Sequence, residues 1–210
     1  MIGFKRNNAM PAPKPKNESK RLAVLWQYEV LDTVPEEMFD DLTELAASIC
    51  GAPIALVSLV DEDRQWFKAT QGISQRETTR DISFCAHAIC QSDLFVVPDT
   101  LKDLRFRDNP LVTHRPKIRF YAGSPLITAD GYALGTLCVL DKKPRKLTLF
   151  QKRALQLLAR VVVTQLELRR CTKVPVTVGG GSNTRRSGAR PATRRRSSAV
   201  KVSPRRSKSV

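Results

Sequence analysis

The sequence predicts an α+β domain with helices packed on one central antiparallel sheet, a long C-terminal helix, and a disordered basic tail behind it. Three observations lead there. Two pairs of apolar runs are joined by hairpin turns, Asp61-Glu62-Asp63 and Ala129-Asp130-Gly131, and Asp-Gly is a strong two-strand signal. Apolar residues at helical spacing flank those runs on both sides. The charge is confined to the ends: of a net +16, residues 171–210 carry eleven basic residues and no acid, whereas residues 21–170 are nearly balanced at 20 basic to 19 acidic. The expected organisation is an arm over 1–20, a domain over 21–170 and a tail over 171–210.

Taken in order, a short helix is expected from about Lys20 to Leu31. Thr33-Val-Pro-Glu36 fits a capping box with proline in the first turn. Phe39, Leu42, Leu45, Ala46 and Ile49 then mark a second helix that Gly51 closes. Ile54–Val60 is short and almost wholly apolar, the pattern of a strand buried on both faces. Arg64–Ala69 returns as its hairpin partner. Ile82–Gln91 suits a short helix capped near Ser83, and Phe95-Val-Val97 a brief strand. Tyr121–Thr128 and Tyr132–Leu140 form the second hairpin. Thr148 can cap the last helix, in which Leu155, Leu158, Val162 and Leu166 make one stripe. That stripe serves either as a dimer and signalling seam or as the face that covers the sheet.

A domain of about 150 residues is long enough to bury a core. No run approaches the roughly 20 apolar residues of a membrane span, and no apolar leader segment is visible. Five cysteines, an odd number set in apolar patterns, predict reduced thiols in a cytoplasmic protein. The Pro11-Ala-Pro-Lys-Pro-Lys16 run reads as an extended arm. The tail is rich in Arg, Ser, Gly, Pro and Thr and lacks aromatics, a composition that cannot offset ordering entropy by burial.

Five segments occur in a telling order: Arg80-Asp-Ile-Ser-Phe-Cys-Ala-His-Ala-Ile89, Val97-Pro-Asp99, Arg105-Phe-Arg-Asp-Asn-Pro110, Arg119-Phe-Tyr-Ala-Gly-Ser-Pro-Leu126 and Ala133-Leu-Gly-Thr-Leu-Cys-Val-Leu-Asp141. Together they resemble a GAF domain, the small-molecule-sensing module of bacterial histidine kinases and diguanylate cyclases, in its Ser-Phe-Cys-Ala-His subgroup. The resemblance covers roughly residues 21–170 and implies a ligand pocket between the sheet and the segments 82–91 and 99–121. Trp66, Phe84, Cys85, His87, Asp99, Arg105, Asn109, Arg119, Phe120 and Tyr121 supply the aromatic walls and few polar groups such a pocket needs. The plainer alternative makes the aromatics core and Asp99 a turn cap.

Other chemistries fit less well. Cys85 and His87, two residues apart, point to different helix faces, so they make a poor zinc pair; no metal and no catalytic residue is expected. Chromophore-binding GAF domains place histidine directly after the attaching cysteine, whereas Ala86 intervenes here. Free methionine sulfoxide reductase is an enzyme of this family, but residues 100–121 lack the cysteine its attack requires.

The expected function is therefore a non-catalytic sensory or regulatory module, not an enzyme. It would bind an unidentified small molecule or a protein partner, with no cofactor named, as a homodimer that signals to a histidine kinase or cyclase. Two alternatives rest on the tail. Arg185, Arg186, Arg194, Arg195, Arg196, Arg205 and Arg206 could hold nucleic acid nonspecifically through phosphate contacts, with the core as dimeriser. Alternatively, the tail marks a truncated or frame-shifted sensor lacking its kinase or cyclase output domain. Anionic lipid would match the charge equally, but no amphipathic helix would anchor it.

Overall fold

In the computed structural model, residues 10–173 are described; the first nine residues of the arm and the tail arginines 185–206 lie outside them. Six antiparallel strands form one sheet in the order β3-β2-β1-β6-β5-β4. The chain runs α1 (Glu18–Gln27), α2 (Glu37–Cys50), β1 (Ile54–Val60), β2 (Arg64–Gln71), β3 (Glu77–Thr79), α3 (Phe84–Ala88), β4 (Phe95–Val97), α4 (Pro110–Thr113), β5 (Phe120–Ile127), β6 (Ala133–Asp141) and α5 (Leu149–Lys173). Single 3-10 turns at Arg80–Ile82 and Thr100–Lys102 lead into α3 and out of β4. The two hairpins fall where the turn residues placed them. β3 carries no apolar alternation (Glu77-Thr78-Thr79), so nothing in the sequence announces it.

The centre of the sheet is buried on both sides; all seven residues of β1 are inaccessible. Alternation then deals each strand's side chains to two cores. Ala55, Val57 and Leu59 join Phe120, Ala122, Leu137 and Val139 beneath α1, α2 and α5. Ile54, Leu56 and Val60 join Phe67, Tyr121, Cys138 and Leu140 beneath α3 and α4. The α5 residues Leu155, Val162 and Leu166 are almost wholly buried in the first core, and Leu158 packs against it. This corrects their assignment to a dimer seam: a helix facing its own sheet spends that stripe on the core. The large apolar residues left outside on α5 are Leu149, Phe150, Leu157, Val161 and Leu168, each 40% to 84% exposed.

Caps explain where the helices begin and end. Thr148 and Gln151 cap α5 reciprocally: the Thr148 N–H donates to Gln151 Oε1 at 3.0 Å and the Gln151 N–H to Thr148 Oγ1 at 3.2 Å. Gly51 adopts φ 58° and closes α2, a left-handed position that L side chains rarely take. The expected capping box at Thr33 does not form. Thr33 donates to Val30 O at 2.7 Å, and Glu36 turns away to two cations.

Those cations are Lys68 and Arg169. The Lys68 side chain is fully buried where β2 slips by one residue against β1. All three of its protons are used, on Thr33 Oγ1 (2.9 Å), Val34 O (2.8 Å) and Glu36 (2.5 Å). Arg169, near the end of α5, reaches the same carboxylate at 2.8 Å. A second cluster of this kind sits where α1 meets the turn between β1 and β2. Glu18 accepts from buried Arg21 at 2.7 Å and buried Arg80 at 2.6 Å, and so ties α1 to the turn that leads into α3. Burial alone would raise the Glu18 carboxyl, but the two arginines outweigh it and hold it at about 2.

Glu18→Gln leaves two buried guanidinium groups without a counter-charge and should cost on the order of 3 kcal/mol in urea unfolding at neutral pH. Because the folded carboxyl titrates below its unfolded value, its contribution is full above about pH 4.5 and is lost as pH falls toward 2. The difference in stability between parent and variant should therefore shrink on acidification through that window.

Candidate functional site

The face beneath α3 and α4 carries an aromatic cluster and a cavity of about 160 Å³. Ser83 fixes the start of α3: its Oγ accepts from Ala86 N at 3.0 Å and also meets Gln65 of β2. The cap turns Phe84 and Cys85 inward. Phe84 stacks on Tyr121 with centroids 5.3 Å apart and lies 4.7 Å from Phe106. Phe95 completes the group, 5.9 Å from Tyr121.

The cavity opens beside this cluster. Ile54, Leu56, Phe67, Ile118 and Leu140 form its apolar wall. Phe84, Tyr121 and Cys85 close one side, Gln65 and Thr78 supply polar groups, and Gln75, Arg115 and Pro116 stand at the mouth. Gln75, Arg115 and Pro116 also line a neighbouring hollow with Lys117 and Lys142, so the entrance is basic. Thr78 Oγ1 is buried and has no hydrogen-bond partner among the described residues, leaving a polar atom free on the cavity side of β3.

Of the residues proposed from sequence, Phe84, Cys85 and Tyr121 line this cavity. Trp66 and Phe120 do not: both lie in the opposite core, because their neighbours Phe67 and Tyr121 occupy the cavity face. The remaining five frame the site. Asp99 accepts from Leu101 N, capping a turn, and pairs with Arg119 at 2.9 Å. Asn109 caps α4 by accepting from Leu111 N at 2.9 Å and donates to Ile82 O at 3.0 Å, which holds α4 to the approach of α3. Arg105 pairs with Asp103 at 2.6 Å, its guanidinium 4.7 Å from the Phe95 ring centroid and 5.3 Å from that of Phe106. His87 packs edge-on against Phe106 at 4.7 Å. Burial first, and the Arg105 charge second, push its imidazole down to about 4, so it is neutral at pH 7. Among the described residues no cluster of three or more His, Cys, Asp or Glu could hold a metal ion.

The sequence reading missed Phe67, Gln65, Thr78 and Ile118. Strand alternation carried a signal for Phe67, since adjacent Trp66 and Phe67 must face opposite ways. Thr78 had none, because β3 itself was not foreseen.

The family model of the GAF domain matches residues 34–169. The chain belongs to the GAF domain family. Solved GAF domains share the fold at low identity. That of an Acinetobacter phosphoenolpyruvate-protein phosphotransferase superposes with TM-score 0.54 at 15% identity, over 73% of this chain and 95% of that one. Its counterpart from Coxiella burnetii gives 0.56 at 15%, over 74% and 96%. A cyclic di-GMP phosphodiesterase of Pseudomonas aeruginosa is 44% identical over 161 residues, 76% of this chain. The chain spans 27% of that relative's length. This relative is an enzyme, and it overturns the expectation of a non-catalytic module with no enzyme character. No helix among the described residues is long and apolar enough to cross a membrane.

Within this GAF domain one glycine sets the position of the cavity's inner wall. A Cβ at Gly123 would stand 2.1 Å from Tyr121 Oη and 2.7 Å from its Cζ. The missing side chain lets the Tyr121 ring lie along β5, where its hydroxyl reaches Cys85 Sγ at 3.3 Å and Thr136 Oγ1 at 3.5 Å. Burial pushes that hydroxyl well above the ordinary phenol range, so it stays a proton donor. Gly123→Ala should cost about 1–3 kcal/mol through overpacking and lower the melting temperature. In a Tyr121→Leu background the same change should cost much less, which a double-mutant cycle by thermal unfolding would read.

Proposed function

We propose that this chain works in cyclic di-GMP hydrolysis as the GAF sensory portion of a cyclic di-GMP phosphodiesterase. The 44% identity to the Pseudomonas aeruginosa enzyme, extending over 76% of the chain, carries this reading. The sensing site in this proposal is the cavity bounded by Phe84, Cys85 and Tyr121, with Phe67, Gln65 and Thr78 as further contacts. Its 160 Å³ suits a single-ring or short-chain molecule, since an engineered cavity of about 150 Å³ takes up benzene. The basic entrance favours an acidic group on that molecule. A cytoplasmic setting accords with the five free cysteines. Deleting the gene should raise cellular cyclic di-GMP, and restoring it should return the level to that of the parent strain. Nucleotide extracts quantified by mass spectrometry would test this; a level unmoved by both steps would overturn the proposal.

A homodimer through α5 belongs to the same proposal, on a different stripe from the one first read. Phe150, Leu157, Val161 and Leu168 recur at intervals of seven, four and seven residues on the outer face. Two copies of such a stripe can pair about a two-fold axis. Light scattering should give twice the chain mass for the parent, and the chain mass for Leu157→Glu combined with Val161→Glu. A monomeric parent would dismiss the dimer.

A further inference from the structure

Two thiols meet beneath the cavity. Cys85 of α3 and Cys138 of β6 place their sulfurs 3.8 Å apart in the second core. Cys85 lines the cavity and Cys138 stands directly behind it. Both residues are at most 2% exposed, so the cavity is the approach to Cys85 that the structure offers. Its mouth lies between the exposed Gln75 and Arg115. The volume of about 160 Å³ is several times the ~30 Å³ of one water, ample for hydrogen peroxide. The Tyr121 hydroxyl donates to Cys85 Sγ at 3.3 Å and would stabilise negative charge there.

We propose that Cys85 and Cys138 form a peroxide-sensitive dithiol, with Cys85 as the attacking thiol and Cys138 as the resolving one. The Cys85 thiolate attacks one oxygen of hydrogen peroxide. The O–O bond breaks, hydroxide leaves and takes a proton as water, and Cys85 becomes a sulfenic acid. Cys138, losing its proton, then attacks the Cys85 sulfur, and the displaced hydroxide leaves as a second water. In sum two thiols give up two electrons to one peroxide, yielding one disulfide and two waters. The sulfurs must close from 3.8 Å to about 2.05 Å, a movement that draws α3 toward β6 and alters the cavity wall carrying Phe84.

The other cysteines separate this pair from general oxidation. Cys90 and Cys171 are exposed, and Cys50 is buried apart in the other core, its thiol pushed up to about 11 by burial. The test uses the full chain with Cys90→Ser and Cys171→Ser, treated with one equivalent of hydrogen peroxide, denatured and alkylated. Two of the three remaining thiols should escape alkylation, peptide mapping should join Cys85 to Cys138, and dithiothreitol should restore alkylation. A second variant, Cys138→Ala, removes the resolving thiol and should leave Cys85 trapped as a sulfenic acid that dimedone labels. Full alkylation after peroxide would overturn the proposal. So would cross-links involving Cys50, or Cys85 carried to sulfinic acid with no cross-link.

Discussion

Burying a sheet on both faces constrains everything else in this molecule. Water reaches neither side of β1, so each of its residues must find an apolar or fully hydrogen-bonded neighbour. The two layers that supply those neighbours differ in kind. One is made of three helices, including the 25-residue α5, and a long helix can cover a sheet with a continuous stripe. The other is made of the single-turn α3 and α4 with 3-10 turns between them. Short elements leave gaps that aromatic rings partly fill, and the cavity is the gap left over.

The same difference explains the buried charges. Glu36 holds two cations from distant parts of the chain, Lys68 and Arg169, and Glu18 holds Arg21 of its own helix and the distant Arg80. Removing the carboxylate leaves two largely buried cations without a counter-charge, so each trio fixes the position of what it joins. One trio joins the start of α2, β2 and the end of α5. The other joins α1 to Arg80, the residue from which the turn into α3 departs. α3 itself is too short to be stable alone. Its position follows from the Glu18–Arg80 pair on one side, the Ser83 cap at its start, and Asn109 holding Ile82 from the other.

The hairpins, the second helix and the capped last helix were legible because their signals are local: an Asp-Gly turn, a period of 3.6, a cap. The site was legible only in part. Where two large residues are neighbours in a strand, as Trp66 with Phe67 and Phe120 with Tyr121, composition marks both as candidates, yet only one of each pair faces the cavity. Which one is decided by pairing register, and the slip at Lys68 shows that register in β2 is not a simple alternation. A similar ambiguity applied to α5. Its apolar residues are numerous enough for two stripes, and the burial of Leu155, Val162 and Leu166 settles which one belongs to the sheet. The Thr33 capping box failed for a tertiary reason: buried Lys68 needs Glu36 more than the helix terminus does.

The cavity and the long helix touch the same strands from opposite sides. α3 packs on β1, β5 and β6, and α5 on β5 and β6. In β5, Tyr121 faces the cavity while Phe120 and Ala122 support the α5 side; in β6, Cys138 stands between Leu137 and Val139 in the same way. A shift of Tyr121 or Cys138 therefore cannot be accommodated within one layer, since close-packed neighbours in the same strand belong to the other. Any ligand that enters beneath Phe84 can bias α5 only by as much as its affinity differs between two packings of these strands. A ligand that wedged between α3 and the sheet would press on Tyr121, whose ring already lies against Gly123. In the proposed sensing role, displacement of Tyr121, rather than occupancy of the cavity alone, would carry a signal to α5.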